Sequence, residues 1–301
     1  MNNMNFRDFF KDTSPFGQLV YFLLMLGFGL ALATVFLVIF ATHDIEGEEL
    51  IRTKLYSQGA SQILMFMLPA MLFAWLFHGN VGTYFKMSFT RKKLTVTVLG
   101  CLAMIFAIPL ADALTTWNEG IHLPESMQAF ESSAREMAGK SKSLADSFLS
   151  LQGIPMLLCN LLILGLIPAF CEELVFRGVL QQLFTKWFRN PHLSIILTAA
   201  VFSLTHFELF SFLPRFALGI ILGYIFHYSG TIWASFAAHF LNNGLIVVLS
   251  YIHLQNGLVG DPQNINLPYP ALLAAISLLL SVLTIYAIAK KAKKTCQNDE
   301  K

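Results

Sequence analysis

The chain has 301 residues, 55% hydrophobic and only 13% charged, with a mean hydropathy of +0.61 and a net charge of +2. A soluble domain carries about a quarter charged residues, so this composition excludes an ordinary soluble globular protein. So small a net charge also gives no footprint for a nucleic-acid partner.

The first apolar run extends over 16–41. It is longer than the core of a signal peptide, and its small residues Ala31-Leu32-Ala33 lie in its middle, so it is expected to be a retained span. Further runs at 61–78, 94–114, 154–182, 191–207, 209–228, 231–252 and 268–289 bring the expectation to eight spans, the fifth and sixth short. The cysteines Cys101, Cys159, Cys171 and Cys296 show neither CxxC nor metal spacing, and no disulfide framework is expected.

Loop charges give an orientation. With the N-terminus cytoplasmic, thirteen Lys and Arg lie inside (Arg7, Lys11, Lys86, Arg91, Lys92, Lys93, Lys186, Arg189, Lys290, Lys291, Lys293, Lys294, Lys301). Five lie outside (Arg52, Lys54, Arg135, Lys140, Lys142), as does the acidic loop 44–49. The stretch 118–153 places Met127, Phe130, Ala134 and Met137 at helical spacing, the pattern of an amphipathic helix at the outer interface or of a plain solvated one. No internal repeat supports an inverted-repeat transporter.

The expected fold class is therefore all-α: a polytopic transmembrane helix bundle of about eight spans with both termini cytoplasmic. It divides into an N-terminal three-span region with its outer loop (1–150), a core (151–255), and a last span with a basic tail (256–301). The protein is expected to be integral and multi-pass, in a bacterial inner (plasma) membrane, with membrane lipid as a partner and no nucleic acid.

Within the core, polar groups sit where lipid disfavours them: Glu172, Glu173 and Arg177 in one span, His206 in the next, His239 and Asn243 further on. An ionised side chain at mid-membrane costs at least ~2.5–3.5 kcal/mol, so such groups face one another or a wet cavity. Glu173 and Arg177 have the i,i+4 order favoured for an ion pair, and Glu172 is turned about 100° away. Glu173 is thus expected to be structural and Glu172 to face the cavity. Phe202 and His206 are four residues apart, as are His239 and Asn243, so each pair shares a helix face. A desolvated Glu172 with His206 has the makings of a water-activating pair, and His239 with Asn243 those of an oxyanion site.

The same atoms admit a metal reading. Glu172, His206 and His239 are ordinary Zn²⁺ ligands, although no H-E-x-x-H occurs. The expectation is no required cofactor, or else a divalent metal such as Zn²⁺. Depth poses a difficulty: Glu172 lies ~27 Å into its span and His206 ~22 Å into the next, levels that disagree across a ~30 Å core unless Pro168 kinks the helix. Elsewhere, Arg215 pairs with Glu208 or snorkels, and Gly219-x-x-x-Gly223 reads as a close-packing face.

The motifs E-E-x-x-x-R (Glu172 to Arg177), F-x-x-x-H (Phe202 to His206) and H-x-x-x-N (His239 to Asn243), in this order, resemble those of the CPBP intramembrane protease family, also called the CAAX-protease, bacteriocin-processing or Abi family. The resemblance covers about residues 150–255. It implies a membrane-embedded endopeptidase, described both as a metalloprotease and as a metal-free glutamate protease, acting on membrane-associated or lipidated peptides. By similarity Glu172 and His206 activate water, His239 and Asn243 hold the oxyanion, and Glu173, Arg177 and Phe202 support the site. A catalytically silent adaptor or bacteriocin-immunity protein, its polar cluster only fixing helix packing, is the alternative.

Overall fold

In hydrocarbon every backbone N–H and C=O must be satisfied within its own segment or in a closed barrel, and long apolar runs therefore fold as helices. A computed structural model describes residues 6–10, 12–41, 46–88, 90–256 and 269–299, and among them there is no strand. The helices are α1 (Pro15–Ala41), α2 (Gly47–His78), α3 (Lys93–Glu119), α4 (Gln128–Leu149), α5 (Ile154–Phe188), α6 (Pro191–Leu204), α7 (Phe212–Ser229), α8 (Ile232–Gln255) and α9 (Pro270–Asp299). Seven of these, all but α4 and α6, are long and apolar enough to cross a membrane. The sixth, α6, has 14 residues and is ~21 Å long.

Contacts at the helix ends fix the path. Phe16 of α1 packs on Trp187 at the end of α5, with ring centroids 5.5 Å apart. Thr231 Oγ1 and Trp233 Nε1 donate to the carbonyls of Lys86 and Met87 at 3.1 and 2.6 Å. Ser281 Oγ donates to the Ala103 carbonyl at 3.3 Å and Ser277 Oγ to that of Phe106, so α9 runs antiparallel to α3. The start of α1, the ends of α5 and α9 and the 84–88 loop thus gather at one end, with Lys86 over the Phe226 ring and Lys186 over that of Tyr84. Among the described residues seven helices are long and apolar enough to cross, and the shorter α6 joins them in the bundle. Lys11, Lys301 and Asp44-Ile45 of the acidic loop lie outside the described residues.

Several boundaries differ from the sequence expectation, the third helix for instance ending at Glu119 and not 114. The second helix begins at Gly47, not 61. Its first half is polar, with Arg52 paired to Glu48 at 3.2 Å, but one face buries Leu55 among Phe148, Leu151, Met156 and Ile163. The fourth span runs to Phe188 instead of 182. The fifth stops at Leu204, because the chain turns at Thr205 and Phe207 takes a left-handed conformation (φ 54°). The 118–153 stretch does form a helix, α4, with Met127, Phe130 and Met137 exposed.

Wide π-helical turns interrupt α2 at Ile63–Met67 and α5 at Leu161–Leu166 and Leu174–Leu180. The first two end just before Pro69 and Pro168. A helical proline lacks the N–H that its i−4 carbonyl expects, and a π-turn absorbs the mismatch without ending the helix. Pro168 therefore leaves α5 continuous, and its 35 residues extend ~52 Å, longer than a bilayer core. The main hydrophobic core packs Phe22, Phe73, Phe85, Phe176 and Phe226 around Leu174 and Val179, fixing α5 among its neighbours.

Candidate active site

The polar residues of α5 recur every fourth position, Glu173, Arg177 and Gln181, and all three are buried. Each finds partners across the bundle. Glu173 Oε1 lies 2.9 Å from Arg177 Nη1 as an ion pair and accepts from His239 Nδ1 at 3.0 Å. Arg177 Nη2 donates to the Gly219 carbonyl at 3.0 Å, and Gln181 Nε2 to that of Gly223, also at 3.0 Å. The two glycines explain the close approach of α7: a Cβ on Gly219 would lie 3.1 Å from Ala199 Cβ, and one on Gly223 2.8 Å from Ile195 Cγ2. Gly219-x-x-x-Gly223 is thus a packing face, as expected, and its carbonyls are also acceptors for α5. The sequence analysis missed Gln181; the i,i+4 continuation of the Glu173–Arg177 row in an apolar helix was the signal.

Glu172 and Glu173 divide as their angular offset predicts. Glu173 is 0% exposed and meets Arg177 and His239 through Oε1, whereas Glu172 is 8% exposed, with Oε2 3.6 Å from His239 Nε2. His239 therefore stands between the two carboxylates. A carboxylate only accepts, so His239 holds a proton on Nδ1 for Glu173 and turns Nε2 toward Glu172.

Phe202, buried, is the spacer of the cluster. It meets His206 and His239 edge-on, centroids 5.1 and 5.9 Å away, and Phe176 at 5.0 Å, while the Arg177 guanidinium lies 5.1 Å from its ring. His206 is not on a helical span as expected; it lies in the turn two residues beyond the end of α6. Its Nδ1 donates to the Phe202 carbonyl at 2.9 Å, which leaves Nε2 of the neutral ring as an acceptor. It is within electrostatic range of Glu172 and half-buried. Asn243, one turn beyond His239, is half-buried and accepts from Asn242 Nδ2 at 3.3 Å.

The mismatch in depth disappears once α5 is measured from its other end. Glu172 is 16 residues before Phe188, and His206 is 15 residues after Pro191, or ~24 and ~22 Å from the turn that joins the two helices. The error lay in assuming that α5 only just spans the membrane. On α8, His239 is seven residues past Ile232, ~10 Å along that helix.

An apolar groove of about 440 Å³ is lined by Met87, Thr97, Trp233, Phe236 and Ala237. Phe170, two residues before Glu172, stacks on Trp233 of that lining at 6.1 Å. Among the described residues, no three His, Cys, Asp or Glu side chains form a group able to hold a metal ion. Glu172, His206 and His239 thus do not assemble as a ligand set here, and His206 and His239 each commit Nδ1 to another acceptor.

Residues 154–245 match the family model for Rce1-like proteins, the type II CAAX prenyl endopeptidases. A curated relative, the uncharacterized protein YpbD of Bacillus subtilis (strain 168), is 29% identical over 86 residues, which is 27% of this chain and 41% of that protein. The match thus spans about two-fifths of the relative's length. No solved structure matches the chain.

Proposed function

Residues 154–245 carry a domain of the Rce1-like, type II CAAX prenyl endopeptidase family in an integral, multi-pass membrane protein, and from that premise we propose that the chain is an intramembrane endopeptidase that hydrolyses a peptide bond of a membrane-associated or lipidated peptide. The observation that carries this reading is the inequality of the two neighbouring carboxylates. Glu173 is sealed at 0% exposure with Arg177 and His239 both on its Oε1, while Glu172 is 8% exposed and has Oε2 3.6 Å from His239 Nε2. Glu172 takes a proton from a water molecule, aided by the acceptor Nε2 of His206. The water oxygen attacks the peptide carbonyl carbon, and the resulting tetrahedral oxyanion collapses as the C–N bond breaks. The proton held by Glu172 then passes to the leaving amine nitrogen.

His239 and Asn243 hold the oxyanion. With Nδ1–H already committed to Glu173, the His239 ring donates from Nε2 only when doubly protonated. In that state the cluster balances: Glu172 and Glu173 against Arg177 and His239. Such a preorganised donor is worth about 3–4 kcal/mol at the transition state. Glu173, Arg177 and Phe202 support the geometry. No step runs through a metal ion. We place the core at 151–255 and the chain in a bacterial plasma membrane, with its lysine-bearing end cytoplasmic.

The test is cleavage, in liposomes, of a pool of membrane-tethered and lipidated peptides, with products read by mass. Wild type should release peptides that His206→Ala and Glu172→Gln do not. A catalytically silent adaptor predicts instead that all three give the same background.

A further inference from the structure

His206 sits in a connection, not on a helix, so something other than helical packing must hold it in register with Glu172. The segment after it is unfavourable by itself. Phe207 is left-handed and largely exposed, a conformation a residue with a side chain keeps only where its surroundings impose it. The residue before α7, Ser211, does not cap that helix with its side chain. The first-turn N–H groups of α7 therefore need partners from elsewhere.

Those partners come from the outer face of the N-terminal region. Asn118, buried at the end of α3, accepts from Leu213 N at 2.8 Å and donates through Nδ2 to the Leu209 carbonyl at 3.2 Å, holding the second half of the connection to the first turn of α7 with one amide. The guanidinium of Arg135, on α4, lies 3.9 Å from the ring centroid of buried Phe210. Arg135 is itself locked, donating to Glu131 Oε1 at 2.9 Å and to the Ile121 carbonyl at 2.8 Å. Glu131 in turn accepts from Leu123 N at 2.6 Å. Two shorter ties, Ser203 Oγ to the Phe212 carbonyl and Glu208 to Arg215, join the connection to its own flanking helices. Asn118, Glu131 and Arg135 all lie outside residues 154–245.

We infer that Asn118 and Arg135 are positioning residues: with Glu131 they form an outer clamp on the 205–211 connection and so set His206 opposite Glu172. Its catalytic consequence rests on the endopeptidase reading; the clamp itself does not.

The test uses full-length protein in detergent, with hydrogen exchange resolved over 205–213 and kcat and KM measured on the cleaved peptide. Asn118→Ala should raise exchange in 205–213 by about tenfold, leaving α5 and α8 unchanged. It should lower kcat about 10–100-fold, the scale of a small misplacement of a reacting group. The expected change in KM is within about twofold. Asn118→Asp, which keeps the acceptor for Leu213 N–H, should fall between; Arg135→Ala should loosen the same segment, and Lys140→Ala on the solvated face of α4 should not. Unchanged exchange over 205–213 in both Asn118→Ala and Arg135→Ala overturns the clamp. A loosened segment with undiminished kcat, in a protein that Glu172→Gln silences, overturns the positioning of His206. If Glu172→Gln cleaves like wild type, the endopeptidase reading falls instead, and the exchange comparison still decides the clamp.

Discussion

Two of the chain's Glu-x-x-x-Arg pairs, Glu173–Arg177 and Glu131–Arg135, have opposite surroundings. Glu173–Arg177 is sealed in the bundle, 0% and 1% side-chain exposure at 2.9 Å; Glu131–Arg135, also at 2.9 Å, is 12% and 36% exposed on the outer face. Identical spacing gives the same ion pair, but environment sets its task. The inner pair cannot be solvated if opened, so it fixes His239, and through it the distinction between Glu172 and Glu173. The outer pair has water as an alternative partner, and its part is to aim one guanidinium at Phe210.

The largest effect should come from breaking the inner pair. Arg177→Met leaves Glu173 buried and uncompensated, a loss of about 3–5 kcal/mol, seen as poor recovery of folded protein. Combining it with Glu173→Gln should restore much of the stability and none of the cleavage, measured by thermal unfolding in detergent and by peptide turnover. Next is the unpaired neighbour. Glu172→Gln should cost about 10²–10⁴-fold in turnover, the range of general base catalysis, with little change in unfolding temperature.

The outer pair should be distinguished by acid. The Leu123 backbone N–H and the Arg135 guanidinium hold the Glu131 carboxyl down to about 2, from an ordinary 4.5. A lowered carboxyl contributes stability in full above about 4.5 and loses it as pH falls through about 2. The difference in unfolding temperature between wild type and Glu131→Gln should therefore be flat above that window and vanish across it. A difference that persists at pH 2 would mean the pair acts by packing alone. Smallest of all should be Lys140→Ala, which opens an exposed pair with Glu136 at 2.7 Å and should shift stability by less than about 0.5 kcal/mol. Chelator treatment should leave turnover unchanged, since among the described residues no three His, Cys, Asp or Glu side chains form a group able to hold a metal ion.

Much of this was legible in the sequence because membrane helices must be apolar and buried charges must pair. The runs that became α1, α3, α7 and α8 needed only hydropathy, and the different surroundings of Glu172 and Glu173 needed only the 100° offset between adjacent helical residues. What escaped depends on tertiary neighbours. The polar first half of α2 looks like a loop until Leu55 is seen buried against α4 and α5. That α6 ends before His206 follows from a left-handed Phe207, which no periodicity reveals. Which nitrogen of His239 meets Glu173, and that Arg177 and Gln181 reach the carbonyls of Gly219 and Gly223, are properties of helix approach, not of spacing. Arg135 was visible only as a charge on an amphipathic helix, and Asn118 as nothing in particular.

The most direct measurement is the turnover of a membrane-tethered peptide by Glu172→Gln in protein whose unfolding temperature matches wild type. A fall of at least about a hundredfold is expected of a carboxylate that takes the proton from water. Turnover at the wild-type rate would contradict the account, and the cluster around Phe202 would then be a device of helix packing.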